Sequence, residues 1–329
     1  MPEPVEGNGR ASTGSGLENV ITLRVNFLYR KQEDLPRISR IDTNYPFLIR
    51  ANSFNSWQKP LGSGLSRLGV TGNRLNTTQM MLTSDNIPAI IEAFVEGWFV
   101  ARSKGCSSWE RIGRVWHVHY GVPMGGQDHE FFVYETPIHE VIRLMQKLSQ
   151  RSGHWLAVFH QTGDGVEAEV AAADYNVTVR ETLMWRAAAA VTVSPLPTGM
   201  TIQRVTTLQQ VEWYNRTQGR MAIYPVELEE ARLRYYLVYQ GPLPVARGRL
   251  VLLDRGVFCL DGIHTLATSR RRGIGRAMVT QMIADAAAAG HPVGVLSSSE
   301  MGHSLYQQLG YQDILNLTLF EPGTHRSFT

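Results

Sequence analysis

Cysteine is nearly absent: the 329 residues hold two, Cys106 and Cys259, too few for a disulfide framework. Lysine is almost as scarce. It occurs at Lys31, Lys59, Lys104 and Lys147, and the other 28 of the 32 basic residues are arginines. An excess of charge of one sign is also missing, with 32 basic against 29 acidic residues and a formal net charge of +3. A nucleic-acid partner is therefore not expected. Mean hydropathy is −0.17, and no run approaches the roughly 18 apolar residues of a membrane span. The opening Met1-Pro2-Glu3-Pro4-Val5-Glu6-Gly7 has neither a basic start nor an apolar core. No secretory signal is read there, and the expected setting is the reducing cytoplasm, with no membrane partner.

What is present reads as ordinary globular protein, 43% hydrophobic and 19% charged. At roughly 100–200 residues per domain, the length suggests about two domains. Residues 1–16 are rich in Gly, Ser, Glu and Pro without periodicity, and are expected to form a disordered tail. A second composition shift falls at Ser194-Pro195-Leu196-Pro197-Thr198-Gly199, which can continue neither a helix nor a central strand. The expected organisation is thus an N-terminal α/β domain over 17–190, a linker over 191–199 and a second domain over 200–329.

In the second domain the patterning predicts strands over 200–205, 235–239, 245–253, 257–266, 292–296 and 311–320. Helices are predicted after 205, over 273–289 and over 301–309. The order β-α-β-β-β-α-β-α-β is a mixed α/β fold. The first domain is less regular. Helices are predicted over 85–104 and 137–151, and extended segments over 110–120, 130–134, 155–160, 166–171 and 177–185.

The segment with chemical content is Arg270-Arg271-Arg272-Gly273-Ile274-Gly275-Arg276-Ala277, between a strand and a long helix. A helix N-terminus offers free amides and a positive dipole end to an anion. Glycines let the main chain approach a diphosphate, and guanidinium forks suit paired oxyanion contacts. By spacing alone a plain helix start with solvated arginines is equally compatible. A second pattern follows in Leu305-Tyr306, Gly310 and Tyr311. With Arg270, Gly273 and Gly275 matching Arg/Gln-x-x-Gly-x-Gly/Ala and these residues matching Leu-Tyr-x-x-x-Gly-Phe/Tyr, the chain over about 200–320 resembles the GCN5-related N-acetyltransferase (GNAT) superfamily.

The resemblance implies a twisted mixed sheet whose two central parallel strands splay apart, with acetyl-CoA or another acyl-CoA as co-substrate and no metal. The pantetheine arm would lie along Ile263, His264, Thr265 and Leu266. The pyrophosphate would sit on the amides of Arg272, Gly273, Ile274, Gly275, Arg276 and Ala277, with Arg270 and Arg271 adding charge at the rim and Ser299, Gly302 and Tyr306 completing the cofactor site. Two departures stand out: Ser299 where the family often has asparagine, and Ala267 where it usually has proline. The resemblance makes Tyr306 the general acid, since a phenol keeps its proton at neutral pH and can give it to a departing thiolate. Asp261 is the candidate base, with a salt-bridged or turn-forming Asp as the open alternative, and His264 ranks behind it. On a regular strand Asp261, Ile263 and Thr265 would share one face and His264 would take the other.

Other signals are weaker. His117, His119, Asp128 and His129 invite a metal reading, yet their spacing matches no recognisable site and paired strand histidines are common. Gly62-Ser63-Gly64 after Lys59 faintly echoes the phosphate motif, with a loop the expected outcome. The first domain is expected to be a degenerate GNAT-like copy or an unrelated lid. The expected activity is an N-acyltransferase acting on a primary amine of a small molecule or peptide, in a monomer or homodimer. The alternatives are a non-catalytic acyl-CoA-binding protein and, disfavoured by the nearly neutral charge, an aminoacyl-tRNA-dependent transferase.

Overall fold

A computed structural model of the chain describes residues 82–103, 107–124, 127–149, 153–218 and 223–323. The expected tail over 1–16, the Gly62-Ser63-Gly64 loop and Cys106 lie outside these. In chain order the elements are α1 (Ile87–Arg102), β1 (Ser108–Ile112), β2 (Val115–Met124), β3 (Gln127–Tyr134), α2 (Ile138–Leu148), β4 (Gly153–His160), α3 (Val166–Ala172) and β5 (Tyr175–Arg186). Residues 187–199 carry neither helix nor strand. There follow β6 (Met200–Val205), α4 (Leu208–Gln218), β7 (Leu233–Gln240), β8 (Leu243–Leu253), β9 (Val257–Thr265), α5 (Ile274–Ala288), β10 (Val293–Ser298), α6 (Glu300–Gln308) and β11 (Gln312–Pro322).

Two expectations for the first half need correction. Residues 166–171, read as a strand, form α3. Val166 and Val170 are four apart, a helical spacing, and Glu and Ala between them favour helix. Asp164 also accepts a hydrogen bond from the Val166 amide at 3.1 Å, which starts the turn. Residues 110–120, read as one extended segment, are two strands. Gly113 adopts φ +64° and folds them into a hairpin with Ile112 opposite Val115.

The same order, αβββαβαβ, runs once from α1 to β5 and again from α4 to β11, with β6 added before the second run. Both runs build one sheet of eleven strands, ordered β1-β2-β3-β4-β11-β5-β10-β9-β8-β7-β6. The last strand of each run sits in the other's territory. β5 pairs antiparallel with β10, β11 pairs antiparallel with β4, and the two pair with each other from Gln312 opposite Trp185 to Pro322 opposite Tyr175.

The hydrophobic core also crosses the 187–199 stretch. α1 buries Ile90, Ile91, Phe94, Val95, Val100 and Ala101, and joins Phe132, Phe159 and Leu183 to Leu237, Val251, Cys259 and Val295 in one cluster. Gly97 of α1 crosses β9 so closely that a Cβ there would collide with the Cys259 side chain. On the other face α5 buries Met278, Val279, Met282 and Ile283 against β7–β10, and α2 covers Val133, Leu156 and Phe320. Among the described residues no helix is long and apolar enough to cross a membrane.

Because β5 and β11 are shared, both halves are expected to unfold in one transition in urea, followed by tryptophan fluorescence and far-UV circular dichroism. Leu317→Ala in β11, a fully buried site, should lower stability by about 2–5 kcal/mol in that same transition. Two separated transitions would contradict a shared core.

Candidate functional site

The parallel strands of each half behave differently. β3 and β4 stay paired from Gln127 opposite Gly153 to Tyr134 opposite Phe159. β9 and β10 pair only at Val257, Phe258 and Cys259 with Val293, Gly294 and Val295. Beyond them β9 continues on β8, reaching Thr265 opposite Ala246, and β10 continues on β5, reaching Ser298 opposite Thr182. The edge of β9 from Leu260 to Thr265 that faces β10 therefore has no strand partner, which leaves a notch lined by main-chain donors and acceptors.

Within this edge Gly262 adopts φ +61°, and the register against β8 slips between Arg247 and Arg249. The bulge inserts one residue and shifts the alternation. Ile263 packs with Met282 on the α5 side, while Asp261 faces α1. The expected sharing of one face by Asp261, Ile263 and Thr265 is thus corrected: Ile263 and Thr265 lie opposite Asp261, and alternation returns His264 to the Asp261 side. His264 is half-buried and lies opposite Arg247 in the ladder.

At the mouth of the notch the chain turns into α5. Gly273 caps the helix at φ +79°, a conformation costly for other residues, and no side chain caps the first turn. That turn holds no acidic residue either, so its free amides and dipole are uncompensated. Arg270 donates to the Thr265 carbonyl at 3.0 Å, Arg272 to Gln240 at 3.3 Å and Arg276 to Gln308 at 3.1 Å. With Arg271 they form a group of four guanidiniums for which no salt bridge occurs among the described residues. Neutral partners hold three of them in place and leave their charge unspent.

On the far side of the notch stand Ser299, the N-cap of α6, and Gly302. Tyr306 is buried, and its ring meets Tyr311 edge-on at 5.7 Å. Burial first, then Glu181 and Asp261, raise the phenol above its ordinary value, so it stays protonated across the physiological range. Its hydroxyl makes no hydrogen bond among the described residues.

Asp261 is clamped by Arg102 of α1 at 3.0 Å and by Arg249 of β8, which also donates to the Ala101 carbonyl at 2.7 Å. Burial alone would raise the Asp261 carboxyl, but the two guanidiniums hold it down at about 2. Such a carboxylate is a poor proton acceptor at neutral pH. Its evident work is to fasten the end of α1 to the notch strand. Arg102 in turn stacks on Trp98, 3.3 Å from the ring centroid.

Sequence reasoning missed Glu181. This residue lies on β5, in the first half, and accepts a hydrogen bond from Ser297 of β10. Burial raises its carboxyl above the ordinary value, with Asp261 adding to the rise and the Ser297 bond and Arg102 opposing it. It is a carboxyl of raised proton affinity at the second-half notch, delivered by the exchanged strand. His117, His119, Asp128 and His129 do come together, on β2 and β3. That group is separated from β10 in the sheet by β4, β11 and β5.

Residues 202–311 match the model of the Acetyltransferase (GNAT) family. Among solved structures, a GCN5-related N-acetyltransferase from Kribbella flavida superposes with a TM-score of 0.54 at 16% identity, over 74% of this chain and 96% of that one. A GCN5-related N-acetyltransferase-like protein from Streptococcus suis gives 0.48 at 14% identity, over 71% and 92%. A tandem GNAT protein from the clavulanic acid biosynthesis pathway gives 0.46 at 11%, over 68% and 85%. No curated protein matches the sequence. Residues 202–311 are therefore similar to the GNAT family, and the mixed sheet has a GNAT-like fold.

Replacing Asp261 would leave two largely buried guanidiniums without their shared carboxylate. Asp261→Asn should cost about 3–5 kcal/mol at pH 7 in urea unfolding. Because the folded carboxyl is depressed from 3.8 to about 2, the ion pair contributes fully above pH 4 and is lost as pH falls toward 2. The gap between native and variant should shrink over that window, and a gap independent of pH would contradict the clamp.

Proposed function

We infer that this protein is an acyl-CoA-dependent N-acyltransferase, most simply an acetyltransferase, that uses the β9–β10 notch of its second half. The observation that carries the reading is the separation of two parallel strands after three residue pairs, leading directly to the uncapped, arginine-rimmed start of α5. An acyl-CoA has the matching chemistry: an amide-bearing arm for the free strand edge and a diphosphate for the helix start. Ile263, His264, Thr265 and Leu266 would hold the arm. Arg272, Gly273, Ile274, Gly275, Arg276 and Ala277 would hold the diphosphate, with Arg270 and Arg271 at the rim, and Ser299 and Gly302 would flank the thioester.

The reaction joins the acceptor nitrogen to the acyl carbon and breaks the carbon–sulfur bond. It needs a group to take the ammonium proton and one to supply the leaving sulfur. Tyr306, held protonated, is the donor at sulfur. Glu181 rather than Asp261 is the base, since its raised proton affinity suits the task, while Asp261 acts as a positioning residue through Arg102 and Arg249. His264 stays a second candidate on the Asp261 side of β9. The first half, with its parallel pair closed, would be a copy without a cofactor notch that contributes β5 and α1 to the acceptor side. The acceptor is a primary amine of a small molecule or peptide.

Incubation with acetyl-CoA and a panel of primary amines, with released thiol read by DTNB, should show turnover above hydrolysis. Absence of turnover together with absence of acetyl-CoA binding by calorimetry would contradict the reading. Tight binding without turnover would favour a non-catalytic acyl-CoA-binding protein.

Tyr306→Phe should lower kcat at least about tenfold with little change in CoA affinity. Glu181→Gln should lower kcat/KM by about 10²–10⁴-fold. In the native protein the rate should rise with pH through the elevated Glu181 carboxyl, and that limb should vanish in Glu181→Gln. An unchanged pH profile would remove Glu181 from the base role.

A further inference from the structure

The hairpin of β2 and β3 carries a second group of chemistry-bearing side chains that the transferase reading does not use. His119 and His129 lie opposite each other in the ladder, and their rings stack with centroids 4.6 Å apart. His117, two residues earlier on the same face, stacks on His129 at 5.1 Å and on Phe131 at 4.6 Å. Asp128 would face the other way on a regular strand. The ladder is irregular there on both sides, with register slips between Gln127 and His129 of β3 against β4 and between His119 and Met124 of β2 against β3. The irregularity frees Asp128 from alternation, and its carboxylate turns toward His129.

Hydrogen bonding then decides which nitrogen is bare. Glu110 Oε1 lies 3.2 Å from His117 Nδ1, and a carboxylate accepts, so His117 Nδ1 carries the proton. In a neutral ring the other nitrogen, His117 Nε2, is then an acceptor. It lies 2.8 Å from His129 Nδ1, which must therefore donate. That leaves His129 Nε2 with an unshared lone pair. Its neighbour is Asp128 Oδ1 at 3.9 Å, too far for a hydrogen bond, and this buried oxygen has no hydrogen-bond partner. Two acceptors thus lie 3.9 Å apart, and His119 stands beside them. One ligand atom from each of the three residues lies within 4.8 Å of the others. Bonds of about 2.0–2.2 Å to a common ion require only a modest closing of that triangle.

We propose that His119, Asp128 and His129 bind a divalent first-row transition-metal ion of the zinc class, with water in the remaining position. Two imidazoles and one carboxylate form a donor set suited to such an ion and ill-suited to calcium or magnesium, which prefer oxygen. His117 is a positioning residue: with Glu110 behind it, it fixes the ring orientation and tautomer of the ligand His129, as outer-shell partners of metal-bound histidines do. His119 and Asp128 are half-buried, which leaves the ion a way in.

The test uses the full, untagged protein stripped by chelator and titrated with Zn²⁺ in a calorimeter, and with Co²⁺ by visible absorption. One equivalent should bind, with a cobalt spectrum showing nitrogen ligation and a rise in Tm on adding Zn²⁺. The His119→Gln/Asp128→Asn double variant, checked for native circular dichroism, should lose the equivalent, the spectrum and the Tm rise. His117→Gln keeps all three ligands and should weaken binding by about 10–100-fold. Absence of a stoichiometric equivalent in the native protein, or an equivalent that survives in the double variant, would overturn the proposal. The readouts are independent of acyl transfer, so failure here and failure of the transferase reading are separate results.

Discussion

The antiparallel pairing of β5 with β11 is the contact on which the rest of the molecule depends. Each run of αβββαβαβ ends in a strand that its own sheet does not complete. Crossing those strands lets β5 cover the outer edge of β10 and β11 cover β4, so neither half presents a long open edge beside its parallel pair. The two runs become one eleven-stranded sheet with a common core. The crossing also carries Glu181 to Ser297, which the chain separates by 116 residues.

The two halves share an order of elements and differ in one decisive respect. In the first, the parallel pair closes along its length. In the second it parts after Cys259, and the Gly262 bulge turns the remainder of β9 so that Ile263 packs under α5 while Asp261 faces α1. A notch of this kind is costly unless its walls are held apart. Holding them is the work of Arg102 and Arg249, which tie Asp261 to α1 and β8, and of β5, which gives β10 a partner on its outer side. The positive start of α5 and its four arginines then meet the opening with charge that no carboxylate among the described residues absorbs.

Much of this was legible from residues near one another in the chain. The helices α1, α2 and α5 show in apolar spacing, and the proposed phosphate site rests on Arg270 to Ala277, eight consecutive residues. What depends on distant or single-residue events was not legible. The helix α3 has two valines that suit a strand as well as a helix, and only the Asp164 turn decides. The Gly113 hairpin hides inside a run that alternates acceptably as one strand. The bulge at Gly262 reverses the face of every later residue of β9, so period-two reasoning failed there. Asp261 reads as a base by position, yet its character is set by Arg102, a residue 159 positions away. Glu181 has no local signature, because only the strand exchange gives it a neighbour in the notch.

The central claim is that the open parallel pair of the second half, and not the closed pair of the first, accepts an acyl-CoA. Amide hydrogen–deuterium exchange with and without acetyl-CoA addresses this directly. The account predicts new protection over 261–266 and 272–277, with β3 and β4 unchanged. Protection confined to β3 and β4, or none at the notch under saturating ligand, would contradict it.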